Sequence, residues 1–108
     1  MRLTSEQVTD LVKAFTPFIA NKHACLYLYG SRVHDHLKGG DIDLLLVLDQ
    51  EETAAALRAE KHVLLAEVKQ YLGDQKIDLT IAIQDDLRRE AFLRMIFPEA
   101  VMLKEWGF

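Results

Sequence analysis

Three aspartates and one Gly-Ser pair are the residues of this 108-residue chain best placed to do chemistry together. Gly30-Ser31 closes an apolar run, Asp41 and Asp43 open the next one, and Asp78 lies near the start of a third. A charge inside an apolar strand is costly unless it is paired or bound to a metal. Carboxylates gathered in one place also repel, so that without a counter-charge at least one tends to keep its proton. Hard divalent cations with oxygen ligands resolve that conflict, and Mg²⁺ is typically shared between carboxylates and substrate phosphates. Two such ions about 4 Å apart can stabilise both the attacking and the leaving oxygen of a phosphoryl transfer. The Gly-Ser turn supplies the other requirement, because glycine lets backbone N–H groups approach a phosphate and the serine hydroxyl can donate to it.

The elements that must position these residues follow from periodicity. Thr4 and Gln7 have capping-box spacing, and Val8, Leu11, Val12, Phe15 and Ile19 follow helical spacing, which predicts a helix from about Ser5 to Ala20 with Pro17 near its end. Ala24–Tyr29 reads as a short strand, Ser31–Gly40 as a polar loop, and Asp41–Leu48 as an aliphatic strand. One long helix is expected over Glu51–Leu72, stopped by Gly73. Lys76–Ile83 is a third strand, a helix opens at Asp85-Asp86 and runs to Ile96 or Phe97 before Pro98, and Ala100–Leu103 is a last short strand. The expected fold is α/β, a single domain over residues 1–108 with a mixed sheet covered by helices on one face.

Alternation along the strands decides where the carboxylates go. Ile42, Leu44, Leu46 and Leu48 share one face of the second strand, while Asp41 and Asp43 share the other. In the third strand Ile77, Leu79, Ile81 and Ile83 oppose Asp78, Thr80 and Ala82. A helical crossover between two strands usually makes them parallel neighbours. The N-terminal ends then lie side by side, and Asp41, Asp43 and Asp78 converge. An antiparallel first strand brings Gly30-Ser31 to the same end.

The bulk numbers bound the partners. With 13 basic and 17 acidic residues the net charge is −4, against broad nucleic-acid binding by clustered positive charge. The single cysteine, Cys25, cannot form an internal disulfide, and no signal peptide or membrane-length apolar run is apparent, so a cytoplasmic protein is expected.

Gly30-Ser31, nine intervening residues, Asp41-Ile42-Asp43 before Leu44-Leu45-Leu46, and Asp78 within Ile77-Asp78-Leu79 together resemble the nucleotidyltransferase superfamily with the DNA polymerase β-like core. The short length is similar to its minimal nucleotidyltransferase branch. The resemblance implies transfer of a nucleoside monophosphate from an NTP to a hydroxyl, with ATP as substrate and two Mg²⁺ ions. It implies that Asp41 and Asp43 hold the metal pair and that Asp78 is the third carboxylate, which helps deprotonate the acceptor. Gly30 and Ser31 are implied binders of the triphosphate, with Arg32 reaching a phosphate. Many small relatives pair with a HEPN-domain RNase toxin, so the resemblance also implies an antitoxin that attaches AMP to a toxin tyrosine. Relatives commonly carry a glycine soon after the Gly-Ser-Arg, whereas this chain reads Gly30-Ser31-Arg32-Val33-His34-Asp35-His36.

Two other readings stand beside that one. The departure in the loop motivates a non-catalytic antitoxin that neutralises its partner by binding. Transfer to a small molecule or an RNA end is the third, as in relatives that carry an additional helical domain. Elsewhere, Cys25 reads as a core thiol, His23 and His62 as ordinary surface or helix positions, and His34 and His36 as solvated or phosphate-facing rather than zinc ligands. Tyr27 and Tyr29 read as a semi-exposed strand face, Asp85-Asp86 as a helix start, and Arg88, Arg89 and Arg94 as a solvated face. Phe92, Met95 and Trp106-Gly107-Phe108 are left as either interface or core.

Overall fold

A computed structural model describes residues 3–19, 21–30 and 41–107. The first helix, α1, spans Ser5–Ile19 and opens on the expected capping box. The Thr4 N–H donates to Gln7 Oε1 and the Gln7 N–H to Thr4 Oγ1, each at 3.0 Å. Two of the orphan amides at the helix start are satisfied in this way. Leu11, Ala14, Phe15 and Ile19 form its buried stripe, and the helix continues through Pro17.

Strands β1 (Ala24–Tyr29), β2 (Asp41–Leu48) and β3 (Lys76–Ile83) lie where alternation predicts them. A fourth, β4, spans Val101–Trp106, longer and later than expected. The sheet order is β3-β2-β1-β4. β2 and β3 are parallel, whereas β1 runs antiparallel to both β2 and β4.

The expected long helix is two: α2 (Glu51–Ala59) and α3 (Lys61–Leu72), separated at Glu60 with φ −102° and ψ 13°. Their partners differ, since α2 rests on β2 and β3 while α3 lies along α1. A turn at Glu60 redirects the chain from sheet to helix, so Ala54 and Leu57 bury against one partner and Leu64 and Val68 against the other. Gly73 ends α3 at φ +74°, a conformation open to glycine. The helix expected after Asp85-Asp86 is also divided, into α4 (Asp86–Arg89) and α5 (Ala91–Ile96), with Glu90 extended between them and a 3₁₀ turn over Phe97–Glu99. The break lets Leu93 bury against the sheet.

The main core lies between one sheet face and α1, α2 and α3. Leu26, Leu28, Ile42, Leu44, Leu46, Leu48, Leu79 and Ile81 meet Leu11, Phe15, Ile19, Leu64 and Val68 there. Each such side chain contributes about 1.5–3 kcal/mol on burial, so this layer anchors the backbone that holds the aspartates. A smaller cluster covers part of the opposite face, where Tyr29, Leu45, Val47, Ala82 and Leu93 pack with Tyr27, Leu87, Ile96 and Phe97. The N-terminal ends of β2 and β3 on that second face lie beyond this cover. Trp106 belongs to the core: it is buried, and its indole N–H donates to Thr16 Oγ1 at 3.1 Å.

Candidate active site

Asp43 and Asp78 are cross-strand partners on β2 and β3, two pairs after Asp41 and Lys76 and so on the same face. Residues opposite one another in a ladder point to the same face, so the convergence expected from strand phase is present. Asp41 and Asp43 are half-buried and Asp78 is exposed. The carboxyls of Asp43 and Asp78 hydrogen-bond one another. Burial pushes the Asp43 carboxyl up from the usual carboxylate range, the charges of Asp78 and Asp41 push it further, and the Lys76 ammonium opposes them.

Lys76, which begins β3, also reaches the site. Its Nζ lies 3.7 Å from Asp41 Oδ2. The signal was available, because Lys76 precedes Asp78 by the same offset as Asp41 precedes Asp43, and parallel pairing sets equal offsets side by side. One lysine is too little to neutralise three carboxylates.

The antiparallel β1 delivers the third wall. Tyr29 is the cross-strand partner of Asp43. It is buried, its hydroxyl hydrogen-bonds the Thr80 side chain, and its ring meets Phe92 edge-to-face at 6.0 Å. Burial raises the Tyr29 phenol above its ordinary range, and the charges of Asp43 and Asp78 add to that rise against the pull of the Thr80 hydrogen bond. Sequence alternation read Tyr29 as semi-exposed, since nothing local reveals the distant Phe92 that covers it. Tyr27 is covered likewise, edge-to-face with Phe97 at 5.0 Å.

Gly30 follows directly, at φ +79°. A Cβ there would meet Asp43 Oδ2, and the positive φ favours glycine, so a glycine suits the turn against the carboxylate. Ser31 and Arg32, expected to bind phosphate, lie outside the described residues, as do His34, Asp35 and His36. Farther along β3, a cleft of about 370 Å³ opens beside Thr80, with Arg58, Glu51, Asp86 and Phe92 in its walls. Arg58 Nε donates to the Ile81 carbonyl at 3.1 Å and its Nη1 to Glu51 at 2.9 Å. The Asp85-Asp86 pair acts as a helix start: Asp86 Oδ2 accepts the Ile83 N–H at 3.0 Å, and Asp85 pairs with Arg88.

Carboxylates sharing one face are the oxygen chemistry that a hard divalent cation takes, although one oxygen from each of Asp41, Asp43 and Asp78 does not come within 4.8 Å of both others. Burial and then the acidic neighbours hold Asp43 above its usual range, and a glycine turn lies beside it. The model of the nucleotidyltransferase domain family matches residues 12–101. The chain belongs to that family. Among solved structures, this nucleotidyltransferase domain is similar to the spectinomycin adenyltransferase AAD(9) from Enterococcus faecialis, whose crystal structure was determined with ATP and spectinomycin. Identity is 28%, the TM-score is 0.55, and the match covers 79% of this chain and 36% of that one. The chain thus spans about a third of that enzyme's length. No curated protein matches the sequence significantly. Among the described residues no helix is long and apolar enough to cross a membrane.

Proposed function

We propose that this nucleotidyltransferase domain moves AMP from ATP to a hydroxyl acceptor, with Mg²⁺ held by Asp41, Asp43 and Asp78. The observation that carries the reading is the in-register pairing of Asp43 with Asp78 beside Asp41, a crowding of carboxylates that a cation relieves. Bound Mg²⁺ would supply neutralisation of charge on the triphosphate and on the leaving pyrophosphate. The residues of the chain do the rest. Asp78, the most exposed of the three, accepts the proton of the incoming hydroxyl in this reading. Gly30 opens backbone access for the triphosphate, joined by Ser31 and Arg32. Tyr29 forms a rigid wall behind Asp43 and fixes its position, the kind of preorganisation on which phosphoryl transfer chiefly depends.

The acceptor we favour is a tyrosine of a cognate HEPN-domain RNase toxin, which makes the chain an antitoxin. What supports this is the resemblance of its motifs to the minimal branch of the family. A second reading, adenylyl transfer to a small molecule, is favoured by the likeness to a spectinomycin adenyltransferase. Neutralisation by binding alone is the non-catalytic alternative.

Calorimetric titration of ATP into the purified protein tests the site. Binding is expected to need Mg²⁺ and to vanish in the Asp41→Asn/Asp43→Asn variant. Labelled-AMP transfer to a co-expressed HEPN protein, but not to spectinomycin, supports the antitoxin; the opposite pattern supports the second reading. Neutralisation that survives the double variant points to binding alone, and ATP binding indifferent to Mg²⁺ and to both aspartates overturns the proposal.

A further inference from the structure

The end of the sheet opposite the three aspartates holds a second group of ligand-type side chains. His23 directly precedes β1, Cys25 lies within it, and Glu105 on β4 is the cross-strand partner of Cys25. Asp49 follows Leu48, which pairs with Ala24. Alternation places all four side chains on one face. One ligand atom from each of His23, Cys25 and Glu105 lies within 4.8 Å of the other two. His23 Nε2 is 3.1 Å from Glu105 Oε2, and His23 Nδ1 is 3.8 Å from Asp49 Oδ2. The Cys25 thiol is buried and hydrogen-bonded with Tyr27.

The backbone around the group is clamped. Gly107 sits at φ +98° immediately after β4, and a Cβ there would be 2.5 Å from the Cα of His23. The chain end therefore packs directly on the residue that supplies the imidazole. Ligands carried on paired strands, with so close a backbone contact beside them, have little freedom to spread apart.

We propose that His23 Nε2, Cys25 Sγ and Glu105 form a Zn²⁺ site, with water as the fourth ligand. The donor set separates it from the aspartate site: thiolate and imidazole select zinc, whereas all-oxygen ligands suit magnesium. Asp49 faces the other imidazole nitrogen, where a carboxylate holds a zinc-bound histidine in the required tautomer. Tyr27 offers a hydroxyl donor to the thiolate. Binding releases the Cys25 proton to solvent and leaves zinc at +2. A His–Glu ion pair alone gives no role to a thiol at the same point. The site ties the start of β1 to the end of β4 and so fastens the edge strand of the sheet.

Metal-stripped protein titrated with Co²⁺ tests this. One equivalent should bind tetrahedrally with a thiolate-to-cobalt charge-transfer band that stoichiometric Zn²⁺ abolishes. Zn²⁺ at about a hundredfold excess over Kd should raise Tm by about 10 °C. Cys25→Ser and His23→Gln should each remove the site, Asp49→Asn should weaken it by roughly 10–100-fold, and Asp41→Asn/Asp43→Asn should leave it intact. A folded wild type with no charge-transfer band overturns the proposal, whether or not it takes up metal, and so does a band that survives His23→Gln. The wild-type result decides the matter even where a variant fails to fold.

Discussion

Asp43 and Asp78 face each other across adjacent parallel strands with their carboxyls hydrogen-bonded, and the Asp43 carboxyl is held above its ordinary range by burial and by its acidic neighbours. Two carboxylates in that position cost the apo fold stability, and an amide in place of one relieves the cost. Asp43→Asn should therefore stabilise the metal-free protein at neutral pH by on the order of 1 kcal/mol, a common yield where a strained functional site is relaxed. Thermal melting without divalent ions should show a rise of about 4–8 °C. The same variant should lose nucleotidyl transfer by at least about a hundredfold. Melting that is unchanged or lowered would mean the carboxylates are not in conflict.

Gly30→Ala tests the turn that brings the backbone to Asp43. The new methyl meets Asp43 Oδ2, and the residue must hold φ +79°. Such backbone strain costs about 1–3 kcal/mol. Denaturant unfolding should show that loss, and calorimetry should show Mg²⁺-dependent ATP binding reduced along with it. A variant of native stability that binds ATP normally would remove Gly30 from the site.

The aspartate convergence was legible because each of β2 and β3 has one unbroken aliphatic face. Ile42, Leu44, Leu46 and Leu48 leave Asp41 and Asp43 no choice of side, and the long connection to β3 implies parallel pairing. The turns at Glu60 and Glu90 were not legible. Helical spacing runs through both, and what breaks them is the location of a partner: α1 for Leu64 and Val68, the second sheet face for Leu93. Tyr29 was misread for the same reason, since its alternation is that of a half-exposed strand and its cover, Phe92, comes from a distant helix. The group at His23 shows the other limit. Its members are scattered over three strand ends, and only the register of Cys25 with Glu105 assembles them.

Trp106 anchors β4 to α1 through its indole N–H on Thr16 Oγ1. Trp106→Phe keeps an aromatic ring but loses the donor, and should cost about 0.5–1.5 kcal/mol, the net worth of one hydrogen bond, since the Thr16 hydroxyl still donates to the Val12 carbonyl. Trp106→Ala also empties the ring's volume and should cost about 3–5 kcal/mol. Chemical denaturation of the two variants separates the contributions. Equal losses would show that the hydrogen bond contributes most of the anchoring, and no loss from either would mean that β4 is held by its ladder alone.

Tyr27 carries the clearest pH signature. Burial, then the neighbouring Cys25 and Glu105, push its phenol up to about 12. A phenol whose folded pKa exceeds its unfolded value near 10 contributes stability that is fully present below pH 10 and lost as pH rises through about 12. Ultraviolet titration of the metal-free protein should show a phenolate step near 12 that disappears in Tyr27→Phe. The variant, with no phenol to ionise there, should lose less stability across that interval than the wild type. Burial is the leading cause of the shift, so Glu105→Gln should lower the step only slightly, while Phe97→Ala, which uncovers the ring, should lower it more. A Tyr27 that titrates near 10 would show that the ring is solvated and that Phe97 does not cover it.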